Sequence, residues 1–257
     1  TVKHIKIKMG KIGQFDKDFN ALLTRVNTHK NFGSFDINKW IFSLLSIKKN
    51  DEVLDLGCGF GHQTFGLLKL GCKVTAIDAN KDSLDYLQNH SNSPNLKTIH
   101  SEFDFLEKLP IDHFDSVISS YAFYYARDYN SLLNNVHQSM KKSSKIFICG
   151  PSRKNNMEMK SFLTKIGVDF GEGSAPFIED ELPRLFNKYF GNFRVIEAKN
   201  TIEFPSANDV WKYWSSHNMF NQEIETKFKK LISEYFEKND KFLTTKVIKG
   251  VIATKEN

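Results

Sequence analysis

Residues Val53–Gly61 read VLDLGCGFG: a short apolar run carrying one acid, Asp55, that breaks into a loop with glycine at positions 57, 59 and 61. Glycine accepts positive φ and carries no Cβ, so a ligand can come close to such a loop. A buried strand that ends this way presents bare backbone at its carboxyl end, where open α/β sheets bind nucleosides. The spacing narrows the ligand. A dinucleotide loop runs G-x-G-x-x-G and sets a pyrophosphate on the next helix N-terminus. Here the order is Gly57-Cys58-Gly59-Phe60-Gly61-His62, with the third glycine one residue early. Asp55 would repel a pyrophosphate and suits a ligand with an ammonium group. Downstream, Asp78 ends the apolar stretch TAID, where an acid can hydrogen-bond ribose hydroxyls.

An acid followed by G-x-G-x-G resembles motif I of the class I S-adenosylmethionine-dependent methyltransferases. The similarity runs in order from about residue 50 to 152 and more loosely beyond. It implies S-adenosyl-L-methionine as cofactor. Gly57, Cys58, Gly59 and Gly61 would wrap its methionine moiety, with Asp55 near the amino group. Asp78 falls at the family's ribose position, and Ala79 follows beside the adenine. The family commonly sets an acid and a neighbouring side chain against the adenine after the third strand, where this chain reads SEFDF. Asp104 with Phe105 is expected there, Glu102 with Phe103 being one register away. Phe114-Asp115 resembles the start of the family's F-D-x-V strand, which makes Asp115 structural. Ser120 and Tyr121 then stand at that strand's carboxyl end, near the transferred methyl. The chain reads Ser119-Ser120-Tyr121-Ala122, without the two prolines common there in nucleic-acid amino methyltransferases. It also lacks the Pro-Cys dipeptide of cytosine C5 enzymes. Both point to a small-molecule acceptor.

Arg25 and His29 are four apart, on one face of a helix. In many small-molecule members of the family, helices before motif I close over the site. His29, with an ordinary pKa near neutrality, is then the first candidate for a general base, and Tyr121 and Tyr124 stand behind it. The competing reading is a solvated helix face. Arginine is scarce beside lysine, and Arg25, Arg127 and Arg153 fall in the lid or just past the fourth and fifth strands. They are the expected holders of an anionic substrate group, against the alternative of surface ion pairs.

These residues need a frame. Apolar spacing predicts helices from about residue 15 to 47, starting at Phe15, with a turn at 31–34 and Asp36 capping the second. Strand and helix then alternate: strands at 53–56, 73–77, 96–100, 116–120 and 145–149, helices at 62–70, 81–89 (capped by Asn80) and 131–140. After Gly150 come helical pieces at 159–166 and 181–189. Late strands at 193–204 and 244–254 follow, separated by a helical insert at 207–239 that should lie over or near the active-site edge. The expectation is an α/β, Rossmann-like fold with a seven-stranded, mostly parallel sheet, an antiparallel edge hairpin and a helical cap. It is organised as one domain over 1–257: an N-terminal helical lid at 1–47, a cofactor-binding core at 48–152, and cap insertions at 153–192 and 205–240.

Composition bounds the rest. The chain has 257 residues and a net charge of +6, spread over scattered lysines without a basic block, so nucleic acid is not the expected partner. Cys58, Cys72 and Cys149 lack metal-ligand spacing and read as buried thiols, and no metal is expected. No apolar run would span a membrane and no signal core is visible, so the expected place is the cytoplasm. The oligomeric state stays open. The expected function is methyl transfer to an oxygen or nitrogen of a small polar metabolite, anionic or neutral. The alternatives are an NAD(P)-dependent oxidoreductase and a cofactor-binding protein without transferase activity. A protein or RNA acceptor is a further option within the same chemistry.

Overall fold

A computed structural model of the protein describes residues 5–6, 19–217, 220 and 222–256. Phe15, expected to open the first helix, lies outside them. In chain order the first elements are β1 (Ile5–Lys6), α1 (Phe19–Phe32), α2 (Ile37–Leu45), β2 (Glu52–Leu56), α3 (His62–Lys69), β3 (Lys73–Asp78), α4 (Lys81–His90) and β4 (Leu96–His100). Then come β5 (Phe114–Ser120), α5 (Tyr129–Ser139), β6 (Met140–Pro151), α6 (Met157–Thr164), β7 (Val168–Asp169), α7 (Leu182–Phe190), β8 (Phe193–Phe204), α8 (Ala207–Ser215), α9 (Glu225–Phe236) and β9 (Phe242–Thr254).

The sheet has the order β4-β3-β2-β5-β6-β9-β8, with β2 through β6 parallel where they pair and an antiparallel pair at the edge. From β2 the chain turns to β3 on one side and later to β5 on the other. That reversal makes the crevice beyond the carboxyl ends of β2 and β5 a topological switch point. The alternation in sequence forecast this sheet. It did not forecast the two-residue strand pair β1 and β7, which run parallel.

Local chemistry sets the element ends. The Asp36 carboxylate accepts the Lys39 N–H at 3.0 Å and starts α2. Asn80 accepts the Asp82 and Ser83 N–H groups and starts α4, as its sequence position suggested. Asp128 caps α5 through Ser131, so this helix begins two residues before the expected Ser131. The helical insert is two helices, α8 and α9. A five-residue π-helix, Phe177–Glu181, precedes α7.

The chain clusters into two compact units. One comprises Asp36–Gly150, Ser174–Glu197 and Lys249–Asn257. Its core packs Leu54, Leu56, Ile77, Val117 and Ile148 of the strands with Leu132, Val136 and Phe186 of the helices. The other comprises Thr1–Phe35, Pro151–Gly173 and Ala198–Ile248. Its core is aromatic: Phe162, Phe204, Tyr213, Trp214, Phe228 and Phe242. Residues 36–47, grouped with the lid on sequence, cluster with the strands, and so do 174–192 from the first cap insertion. No described helix is long and apolar enough to cross a membrane.

Candidate active site

In the strand-rich unit, β2 runs straight into the glycine loop. Gly57, Gly59 and Gly61 all have positive φ, at 72°, 51° and 84°. Two of them are also sites of close approach. A Cβ on Gly57 would stand 2.1 Å from the Ala122 Cβ, and one on Gly61 would stand 2.3 Å from Leu87. The loop is therefore glycine for two reasons, backbone conformation and packing.

The loop's amides are engaged within the protein. Gly57 and Cys58 donate to the Ile77 carbonyl at 2.8 and 3.0 Å, and Gly61 donates to the Cys58 carbonyl at 2.9 Å. Gly59 donates to Asp78 Oδ2 at 2.7 Å, while Asp78 Oδ1 accepts the Asn80 N–H at 2.8 Å. A phosphate cradle needs such amides free to point at the anion. This loop instead offers bare backbone surface beside an acid. The Gly59, Asn80 and Ala79 amides all bond the Asp78 carboxylate, which leaves one of its four lone-pair sites for a ligand hydroxyl. Burial pushes the Asp78 pKa up, partly offset by the Asn80 and Gly59 amides. Ala79 presents its carbonyl 3.0 Å from His100 Nε2.

Asp55 is 1% exposed. Its Oδ2 accepts the Thr64 hydroxyl at 2.6 Å, from the first turns of α3. Burial pushes its pKa up to about 7; the Thr64 bond works against the shift and the Asp78 charge adds to it. Asp55 thus sits beneath the loop and ties strand to helix. Thr64, its partner, was not singled out from sequence because nothing in the motif spacing marks it. Cys58 is buried, and burial raises its thiol pKa.

Asp104 and Phe105 fall in a single 3-10 turn, Phe103–Phe105. The Asp104 carboxylate accepts the N–H groups of Arg127 and Asp128 at 2.8 and 3.1 Å and lies 3.7 Å from Arg127 Nε. Phe105 is 71% exposed. Phe103 is the ring turned to the loop, 3.3 Å from where a Gly57 Cβ would be. The structure thus pairs Asp104 with Arg127, two residues the sequence had assigned to different ligands.

At the end of β5, Ser119 donates its hydroxyl to the Leu56 carbonyl at 2.9 Å and fastens β5 to β2. Ser120 Oγ lies 3.6 Å from Cys149 Sγ. Tyr121 has φ of 59°, a left-handed conformation rare for a bulky residue, held by its N–H donating to the Cys149 carbonyl at 2.8 Å. Its hydroxyl is buried. Tyr124 is buried too; burial lifts its pKa well above the ordinary phenol range, despite a hydrogen bond with Ser174. Asp115 is structural as expected: it accepts the Glu52 N–H and pairs with Lys141.

Within the other unit, Arg25 and His29 share one face of α1, which packs on α8. Arg25 donates to the Ser216 carbonyl. The His29 ring lies 5.9 Å from that of Tyr213, with its Nε2 buried. The competing reading of a solvated face does not describe them. Arg153 Nε donates to Glu172 at 3.0 Å.

A family model described as "Methyltransferase domain" matches residues 47–189. Among curated proteins, an uncharacterized protein of Haemophilus influenzae is 30% identical over 141 residues, 52% of this chain and 56% of that protein. A malonyl-[acyl-carrier protein] O-methyltransferase of Calditerrivibrio nitroreducens is 25% identical over 168 residues, 63% of this chain and 61% of that one. The matches thus span under two thirds of either relative's length. Among solved structures, a phosphoethanolamine N-methyltransferase 2 of Haemonchus contortus in complex with S-adenosyl-L-methionine has a TM-score of 0.59 and 13% identity. That match covers 92% of this chain and 57% of the enzyme.

Proposed function

Because the chain belongs to the methyltransferase-domain family, we propose that it moves a methyl group from S-adenosyl-L-methionine to an oxygen or nitrogen of a small polar acceptor bearing an anion. The observation that carries the cofactor is the glycine loop with its amides paired inside the protein and Asp78 bonded across to Gly59. That loop favours a methionine chain laid against bare backbone over a pyrophosphate, and so argues against the oxidoreductase reading.

The bound cofactor would supply a sulfonium methyl group that is already activated. The chain's own residues have to bind, align and exclude water. The loop from Gly57 to Gly61 takes the methionine part, and the remaining lone pair of Asp78 accepts from a ribose hydroxyl. Ala79 and Phe103 flank the adenine; Glu102, whose neighbour Phe103 faces the loop, replaces Asp104 as acceptor for the adenine amino group, since Asp104 is engaged by Arg127 and Asp128. Asp55 acts at one remove, holding β2 to α3 under the loop.

Ser120 and Tyr121 border the methyl group. Tyr124 keeps its proton at any physiological pH and serves as a donor. On its sequence position alone, His29 is the candidate to take the proton when the nucleophile is a hydroxyl. The anionic character of the acceptor rests on the sequence positions of Arg25, Arg127 and Arg153, and on the Haemonchus enzyme, which has also been solved with phosphomonomethylethanolamine. Titration with S-adenosylhomocysteine and with NADH tests the cofactor: saturable binding of the first alone is expected, and binding of NADH alone would overturn it. Transfer of labelled methyl from S-adenosylmethionine to a panel of phosphorylated and carboxylated amines and alcohols tests the reaction. Cofactor binding without transfer to any of them would favour a binding protein.

A further inference from the structure

A cleft with a volume of about 430 Å³ opens inside the aromatic-cored unit, between α6 and the segment Gly167–Glu172. Its walls are chemically mixed. Met157, Lys160 and Thr164 lie along one side of α6, three and four residues apart. Arg153 stands before that helix, its Nε bonded to Glu172 Oε1 at 3.0 Å, which fixes the guanidinium plane. Phe170 supplies an aromatic wall, and the Phe170 ring is itself braced edge-on by Trp214 at 5.6 Å.

Lys160 is the residue out of balance. It is half-buried, burial lowers its pKa, and neither of the two acids that line the same cleft, Asp169 and Glu172, is ion-paired with it. Among the described residues Glu172 pairs with Arg153 and Asp169 forms no ion pair with Lys160. A half-buried ammonium without a counter-charge is costly, and an incoming anion would relieve the cost. An arginine and a lysine lining one cleft with apolar surface between its walls suit an oxyanion attached to a hydrophobic body.

We propose that this cleft binds a small molecule with one oxyanionic group, carboxylate or phosphate monoester, on a short apolar body; Lys160 and Arg153 hold the anion, and Met157 and Phe170 the apolar part. The proposal goes beyond the methyl-transfer reading and stands whether or not the bound molecule is the acceptor.

Calorimetric titration of the whole chain with phenyl phosphate, phenylacetate and benzyl alcohol tests it. At least one anion binds saturably, about tenfold or more tighter than the alcohol, and the better anion identifies the group. Lys160→Ala weakens that binding about tenfold, Lys160→Arg retains it, and Lys154→Ala, an exposed neighbour, leaves it unchanged. Acylation of wild-type lysines, read by mass spectrometry, gives a second readout that needs no variant: the anion protects Lys160 and not Lys154. Equal binding of the alcohol, no saturable binding of either anion, or equal protection of both lysines overturns the proposal.

Discussion

Asp78 Oδ2 accepts the Gly59 N–H at 2.7 Å. The end of β3 is thereby bonded to the loop that follows β2, and the acid proposed to hold the ribose also sets the shape of the surface proposed to hold the methionine. One substitution should therefore damage both ends of the cofactor site.

Asp78→Ala is expected to weaken S-adenosylhomocysteine binding about 10- to 100-fold, the worth of a charge-assisted hydrogen bond or two. Asp78→Asn keeps an acceptor for Gly59 and should lose less. Calorimetry reads both, and wild-type affinity in Asp78→Ala would remove the residue from the site.

Gly57→Ala puts a Cβ 2.1 Å from Ala122 and forces positive φ on alanine. Overpacking and strain together should cost about 2–4 kcal/mol and abolish cofactor binding. Gly191 has φ of 67° and no atom within 4 Å of the added carbon, so Gly191→Ala should cost only about 1 kcal/mol. Thermal unfolding of the pair separates crowding from strain.

Asp55 is an acid whose folded pKa, about 7, stands above its ordinary value. The folded state then holds a proton that the unfolded state has lost, so this contribution is complete below about pH 4 and falls away as pH rises towards 7. Asp55→Asn keeps an acceptor for Thr64 and should abolish that slope, flattening stability between pH 4 and 7 by up to about 4 kcal/mol. Denaturant midpoints measured at several pH values would show it; the same slope in both proteins would sink it.

His217 points the other way. Burial, with the Arg25 charge beside it, lowers its pKa to about 3. The unfolded state binds the proton first, so stability present above the ordinary histidine value is lost as pH falls from about 6.5 to 3. Acidification should weaken the aromatic-cored unit while it relieves Asp55 in the strand-rich one. Hydrogen exchange at pH 5 against pH 7.5, corrected for the intrinsic pH dependence of amide exchange, should show lower protection in α8 and α1 without the same change in β2 and β3.

Tyr121→Phe should leave cofactor binding intact and lower kcat, while Tyr121→Gly relieves the left-handed strain but removes a ring packed on the core, so it should lower stability by about 2–4 kcal/mol and lose turnover. His29→Ala should lower turnover about 100-fold or more on a hydroxyl acceptor. Near-normal turnover would remove the base role.

The parallel sheet and its caps were legible because period, glycine and Asn/Asp signals agree locally; Asp36 and Asn80 do in the structure what their positions announce. The switch-point loop was legible for the same reason. What the sequence hid is long-range. Nothing near Asp104 says that its carboxylate will be used by amides 23 and 24 residues on. Nothing near Phe103 says that it, rather than Phe105, faces Gly57. Thr64 under Asp55 and Ser174 beside Tyr124 are likewise partners chosen by the fold. The pairing of β1 with β7 joins residues too few and too distant for any periodicity to reveal.

β9 supplies Phe242–Ile248 to the aromatic-cored unit and the rest of its length to the strand-rich one. A ribosome that has not yet released Phe242–Thr254 therefore holds two unfinished bodies at once. Neither can be cut out as one contiguous fragment, and a stop codon ahead of Phe242 should deliver both to cellular proteases in a single event.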